Sequence, residues 1–232
     1  MHSGRAQFTP VRMATHTMND DLIPAIQQGN AARVAELLDS DPSLVGARAN
    51  GVSAVVLAVY YQHADIAQLF IERGAALTFA EACAVGDEAR ALELLARDPS
   101  SLDRRSDDGF PPLGYAIFFR HPALARTLIE RGADVSAVAE NAQRIQPVHA
   151  AASVGDVETM RLLLDRGADP NARQHGGFTP IHAAAANGDV GMAELLVARG
   201  ADRNARTDDG KDAAALAAER GRSPFVAWWN GQ

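Results

Sequence analysis

The stretch QPVHAAASVGDVETMRLLLDRGADPNAR, Gln146 to Arg173, aligns without a gap onto TPIHAAAANGDVGMAELLVARGADRNAR, Thr179 to Arg206, at an offset of 33 residues. A fixed period of that size constrains the chain more than any other feature. A unit this short cannot bury its own apolar face, so it must stack on its neighbours, and the chain builds a row of like units rather than one central core.

Each unit reads as two helices. A short Ala-rich helix ends near Gly155 or Gly188, and a longer one ends at Arg166-Gly167 or Arg199-Gly200. Pro147 and Pro180 suit a first helical turn, where no backbone donor is needed. In the second helix Met160, Leu163, Leu164 and Met192, Leu195, Leu196 recur at i, i+3, i+4, which gives one apolar stripe. Gly167 and Gly200 supply a left-handed stop, with Arg166 and Arg199 near the negative end of the helix dipole.

The segments Gln146-Pro147-Val148-His149, Thr179-Pro180-Ile181-His182, Gly167-Ala168-Asp169-Pro170-Asn171 and Gly200-Ala201-Asp202-Arg203-Asn204 resemble the ankyrin repeat. Weaker copies are marked by the residue between the two helices: Gly29, Gln62, Gly86, Arg120, Gly155, Gly188 and Gly221, at steps of 33, 24, 34, 35, 33 and 33. The resemblance implies an all-α ankyrin-repeat solenoid of about seven helix pairs, caps included, with short β-hairpin fingers. The pairs are expected at about 20–49, 50–76, 77–107, 108–142, 143–175, 176–208 and 209–232, after a flexible lead-in over 1–19.

The 24-residue step leaves no room for a finger, so a hairpin is expected to be missing or shortened near Ala76–Thr78. A second periodicity accompanies it. Gly29 matches Gly86, Asp41-Pro42-Ser43 matches Asp98-Pro99-Ser100, and Gly74 matches Gly132, all at offsets of 57–58. The amino-terminal half reads as a duplicated double repeat.

Composition narrows the function. A formal charge of −7 argues against non-specific nucleic-acid binding and favours a neutral or basic partner over an acidic one. A single cysteine, Cys83, excludes an internal disulfide framework and a Cys-based zinc cage, and fits a reducing compartment. No apolar run approaches a membrane span, and the opening residues lack the apolar core of a secretory signal. A cytoplasmic monomer without cofactor or metal is expected.

Residues with chemical potential have structural readings. The resemblance implies that His149 and His182 hydrogen-bond backbone between stacked units rather than bind metal. Cys83 takes a position filled elsewhere by Ala152 and Ala185, which predicts a buried, inert thiol. Asp107-Asp108-Gly109, Asp208-Asp209-Gly210 and Asn50-Gly51 are turn formers at finger tips, without an EF-hand series. Trp228 and Trp229 are expected to cover the end of the core.

The aromatic pairs Tyr60-Tyr61 and Phe118-Phe119 fill the two positions before the inter-helix residue, which the resemblance places on a concave, partner-facing surface. Between them stand only Ala84-Val85, so aromatic walls over a shallow floor are expected, although the rings could instead fill space or cover one another. The expected partner-binding set is Tyr60, Tyr61, Val85, Phe118, Phe119, Arg120 and Val154. The expected function is a non-catalytic protein-interaction module. The alternatives are an accessory subunit of an enzyme and, against the lack of any convergent acid, base or nucleophile, an enzyme.

Overall fold

A computed structural model describes residues 21–231; the lead-in over 1–19 lies outside them. Fourteen helices form seven antiparallel pairs: α1 Leu22–Gln27 with α2 Ala31–Ser40, α3 Ala54–Tyr60 with α4 Ala64–Glu72, α5 Phe79–Val85 with α6 Glu88–Arg97, and α7 Pro112–Phe118 with α8 Pro122–Glu130. The second half adds α9 Pro147–Val154 with α10 Val157–Asp165, α11 Pro180–Asn187 with α12 Val190–Ala198, and α13 Ala213–Glu219 with α14 Ser223–Asn230. The inner helices α1, α3, α5, α7, α9, α11 and α13 pack side by side in chain order, each backed by its own outer helix. Alanines make this close stacking possible: Ala58, Ala84, Ala116, Ala151 and Ala184 are all buried at the inner-helix contacts.

The inter-helix residue is left-handed in every pair. It is glycine at 29, 86, 155, 188 and 221, but Gln62 and Arg120 hold the same conformation, with φ of +64° and +65°. The next residue explains the alternation. Asn30, Asp87, Asp156 and Asp189 cap their outer helices through the side chain. His63 and His121 do not cap; their rings reach back over Gly29 and Gly86 of the preceding pairs, where a Cβ would collide with them. Glycine is therefore required beneath a histidine. The pairs that follow Gln62 and Arg120 carry the capping Asp87 and Asp156 in place of that histidine, and these two junctions bear a Cβ. This is the physical content of the 57-residue duplication.

The fingers form a continuous edge. Only the first is a strand ladder, β1 Arg48–Ala49 antiparallel to β2 Val52–Ser53, closed by Asn50-Gly51 with both residues at positive φ. The others are tight turns closed by Ser106 N–H to Phe110 O (3.0 Å), Ala139 to Ile145 (2.8 Å), Gln174 to Phe178 (2.9 Å) and Thr207 to Lys211 (2.9 Å). Successive tips bond through backbone: Glu140 N–H donates to Gly109 O, His175 to Gln143 and Asp208 to Gly176.

No finger separates α4 from α5, which are joined by Arg73–Thr78 alone. The first finger closes onto the second instead, with Gly51 against the backbone of Asp107. Arg48 clasps the joint. Its guanidinium reaches Glu81 Oε1 at 3.0 Å, Asp107 Oδ2 at 2.9 Å and Gly51 O at 3.0 Å. Glu81, only 4 % exposed, also accepts from Thr78 N–H in a capping box, so its carboxylate is satisfied on both oxygens.

Candidate functional site

The aromatic pairs do not stand apart as two walls. Tyr60 at the end of α3 meets Phe119 after α7 edge-to-face, ring centroids 5.0 Å apart, although α5 lies between those helices. Phe118, Tyr115 and Phe110 extend the cluster, with Phe118–Phe119 at 5.3 Å and Phe110–Tyr115 stacked at 5.4 Å. The rings fill the space above α5, whose exposed side is small and which has no finger before it. The expected open trough is closed here by its own walls.

Polar contacts lock the cluster. The Tyr60 hydroxyl donates to Asp108 Oδ2 at 3.2 Å, and Tyr115 and Ser106 both donate to Asp108 Oδ1. Burial, then the neighbouring Tyr115 phenol and the Asp108 carboxylate, push the Tyr60 hydroxyl far above its ordinary range; burial and Asp108 do the same for Tyr115. Both phenols stay neutral donors. Asp108 is thus a hub of the fold rather than a free acidic tip.

Of the apolar expected contact residues, Tyr61 is the most open. At 39 % exposure it is the only exposed large apolar side chain among the described residues, and its hydroxyl accepts from Gln27 Nε2 at 3.0 Å. Val85, Phe118, Phe119 and Val154 are half-buried, and Arg120 is exposed, with Nη1 donating to Val154 O at 2.9 Å. The array carries Phe118 to the edge of a shallow pocket in the angle between fingers and inner helices. Phe118, Ile145 and Phe178 form its walls, and Ala150, Ser153 and Ala183 its floor, around a volume of about 120 Å³. That is well below the roughly 300–1,000 Å³ of a small-molecule site, and suits one side chain of a larger partner.

The remaining candidates are structural. His149 Nδ1 accepts from Gln146 N–H at 3.2 Å while Nε2 meets Ala172 O at 2.9 Å; His182 repeats this with Thr179 at 3.0 Å and Ala205 at 3.1 Å. Each ring is therefore the Nε2–H tautomer, and burial holds both below the ordinary histidine range. Cys83 is fully buried, and burial raises its thiol far above the usual value. Among the described residues no three His, Cys, Asp or Glu are placed to hold a metal ion, and no helix is long and apolar enough to cross a membrane. Trp229 is 8 % exposed, stacked on Phe225 at 5.6 Å and covered by the Arg203 guanidinium at 4.2 Å, so it closes the last pair. The acidic tips are neutralised in place by Arg48–Asp107, Arg105–Glu140, Arg173–Asp208 and Lys211–Asp209 pairs.

Ile145 and Phe178 belong to the pocket without having been singled out in the sequence. Both directly follow the left-handed residue of their finger, as Val52 and Phe110 do. Aligning the fingers as well as the helices carries that signal.

The chain matches known sequences along most of this array. A family model described as ankyrin repeats in three copies covers residues 22–139, and one for ankyrin repeats in many copies covers 148–197. A putative ankyrin repeat protein of Fowlpox virus, FPV014, is 30% identical over 171 residues, 67% of this chain and 37% of its own length. The E3 ubiquitin-protein ligase KEG of Arabidopsis thaliana is 32% identical over 98 residues, 42% of this chain but 6% of that protein. The chain thus spans little more than a third of the first relative and a small part of the second. With the stacked pairs, the left-handed junctions and the Pro-x-His networks, these matches establish that the chain belongs to the ankyrin repeat family.

Proposed function

We propose that the chain is a non-catalytic module that binds a partner protein in the angle between its fingers and inner helices. Ankyrin repeats are general protein–protein interaction modules. The observation that carries the reading here is the half-buried strip Phe118–Ile145–Phe178 lining a pocket of side-chain size. Tyr61, Phe118, Phe119, Arg120, Val85 and Val154 are the proposed contacts. Tyr60 supports them from within the aromatic cluster. A monomer in a reducing cytoplasm is consistent with the buried free thiol of Cys83.

The test is affinity capture with quantitative mass spectrometry, comparing the wild type with a Tyr61→Ser/Ser153→Glu variant and an outer-helix Arg126→Glu control. Both altered inner positions are exposed, so the fold should survive; matched melting curves check this. A protein captured by wild type and control, and lost by the inner variant, supports the reading. Identical capture by all three places binding on another surface and sinks it.

A further inference from the structure

Two left-handed positions beside the Phe118–Ile145–Phe178 pocket carry arginine where sister units carry glycine. At the helix junction Arg120, φ +65°, stands in the place of Gly29, Gly86, Gly155, Gly188 and Gly221. In the fingers, the residue before the closing carbonyl is Gly51, Gly109, Gly177 or Gly210, all at positive φ; in the third finger it is Arg144, φ +53°. L-residues adopt this conformation at a cost that glycine avoids, so each such position raises the question of what its side chain does. Gln62 is a third replacement, and its side chain is uncharged.

Position supplies the answer. Arg120 follows the pocket wall Phe118 by two residues and donates to Val154 O at the end of α9; Arg144 directly precedes the wall residue Ile145. Both are exposed, and neither meets a carboxylate among the described residues, whereas the neighbouring fingers pair each basic group with an acid. Of the acids on the neighbouring fingers, Glu140 and Asp208 are held by Arg105 and Arg173; Asp169 accepts from the Asn171 amide, and Asp156 caps its helix. Two exposed arginines without an acidic partner thus neighbour wall residues of a mostly apolar pocket, in a chain whose net charge is −7.

We propose that the pocket binds an acidic segment of a partner protein, one apolar side chain seated between Phe118 and Phe178 and flanking Asp or Glu residues paired with Arg120 and Arg144. This rests on the proposed binding face and names the partner's chemistry. The chain's own residues 1–19 carry Arg5 and Arg12 and no carboxylate, so charge opposes them as occupant.

The test is selection of a random displayed peptide library on the full chain, followed by affinity measurements on variants. The expected consensus is one large apolar residue flanked by Asp or Glu. Arg120→Gly/Arg144→Gly should fold, since sister units use glycine at both positions, and should bind the selected peptides about tenfold or more weaker. Ser153→Glu at the pocket floor should abolish binding. Arg126→Glu/Arg161→Glu on the outer helices, the same kind of charge change away from the pocket, should leave it unchanged. A basic consensus, or one without an apolar residue, that is still lost on Ser153→Glu overturns the acidic partner but leaves the binding face standing. Displacement of the selected peptides by a peptide of residues 1–20 also overturns it. Peptides indifferent to Ser153→Glu, or no enrichment at all, overturn the proposal and the binding face together.

Discussion

The His121 ring lies against Gly86 of the preceding helix pair, in the volume a Cβ would occupy, with Nε2 at 3.0 Å from Ala84 O. A side chain at 86 would meet both a left-handed backbone and this ring. Gly86→Ala should therefore destabilise the fold by about 2 kcal/mol or more, beyond the ~1–2 kcal/mol of the conformation alone. Adding His121→Ala should recover the steric part and leave the conformational part. Urea unfolding of both single variants and the double variant measures this coupling; strict additivity would show that the ring yields at no cost.

The opposite substitution tests the alternation. Gln62 is left-handed, with no side-chain hydrogen bond among the described residues, and the following pair carries the capping Asp87 rather than a histidine after its junction. Gln62→Gly should stabilise by about 0.5–1 kcal/mol, the conformational relief less the added freedom of the unfolded chain. A lower urea midpoint for this variant would mean that the Gln62 side chain packs to greater effect than its backbone costs.

The period made the array, the helix pairs and the missing finger legible, because the units share punctuation: Pro at the first turn in three of them, glycine at the junction in five, Arg-Gly at the exit in four. It did not reveal what replaces the missing finger. Tyr60 and Phe119 lie 59 residues apart in sequence and on non-adjacent inner helices, yet their rings touch. No periodicity within a unit encodes that contact. Likewise Arg48, Glu81 and Asp107 form one network joining the first finger, α5 and the second finger, and each alone reads as an ordinary surface charge. The local irregularity decided which of these side chains met.

That network makes Arg48 unlike the other arginines. Removing it leaves Glu81, 4 % exposed, with only the Thr78 amide as partner. Because Arg48 is itself partly solvated, the loss on Arg48→Ala should fall at about 1–3 kcal/mol, set mainly by the stranded carboxylate. Arg33→Ala, which breaks solvent-screened surface pairs with Asp21 and Glu36, should leave stability nearly unchanged. Chemical denaturation of the two variants should separate them clearly, and equal losses would deny the clasp any special place.

Cys83 should resist modification while the array is folded. It is fully buried, and burial keeps its thiol protonated. Reaction with a thiol reagent should follow global unfolding, accelerating with urea in parallel with loss of helical signal. Rapid labelling in native buffer would reveal local opening at α5, where no finger precedes the helix.

Acid should loosen the carboxy-terminal half through His149 and His182. Each Nδ1 accepts a backbone N–H, so protonation there would place two donors face to face. Burial lowers both folded pKa values below the ordinary value of about 6.5, so the unfolded chain binds protons that the folded one refuses. Stability is then full above the unfolded value and is lost as pH falls from there towards the depressed folded values. The fall in urea midpoint from about pH 7.5 to about pH 5.5 should shrink in a His149→Gln/His182→Gln variant. An undiminished fall would assign the acid response to other groups, and NMR titration of the two imidazoles would then show folded pKa values near the ordinary one.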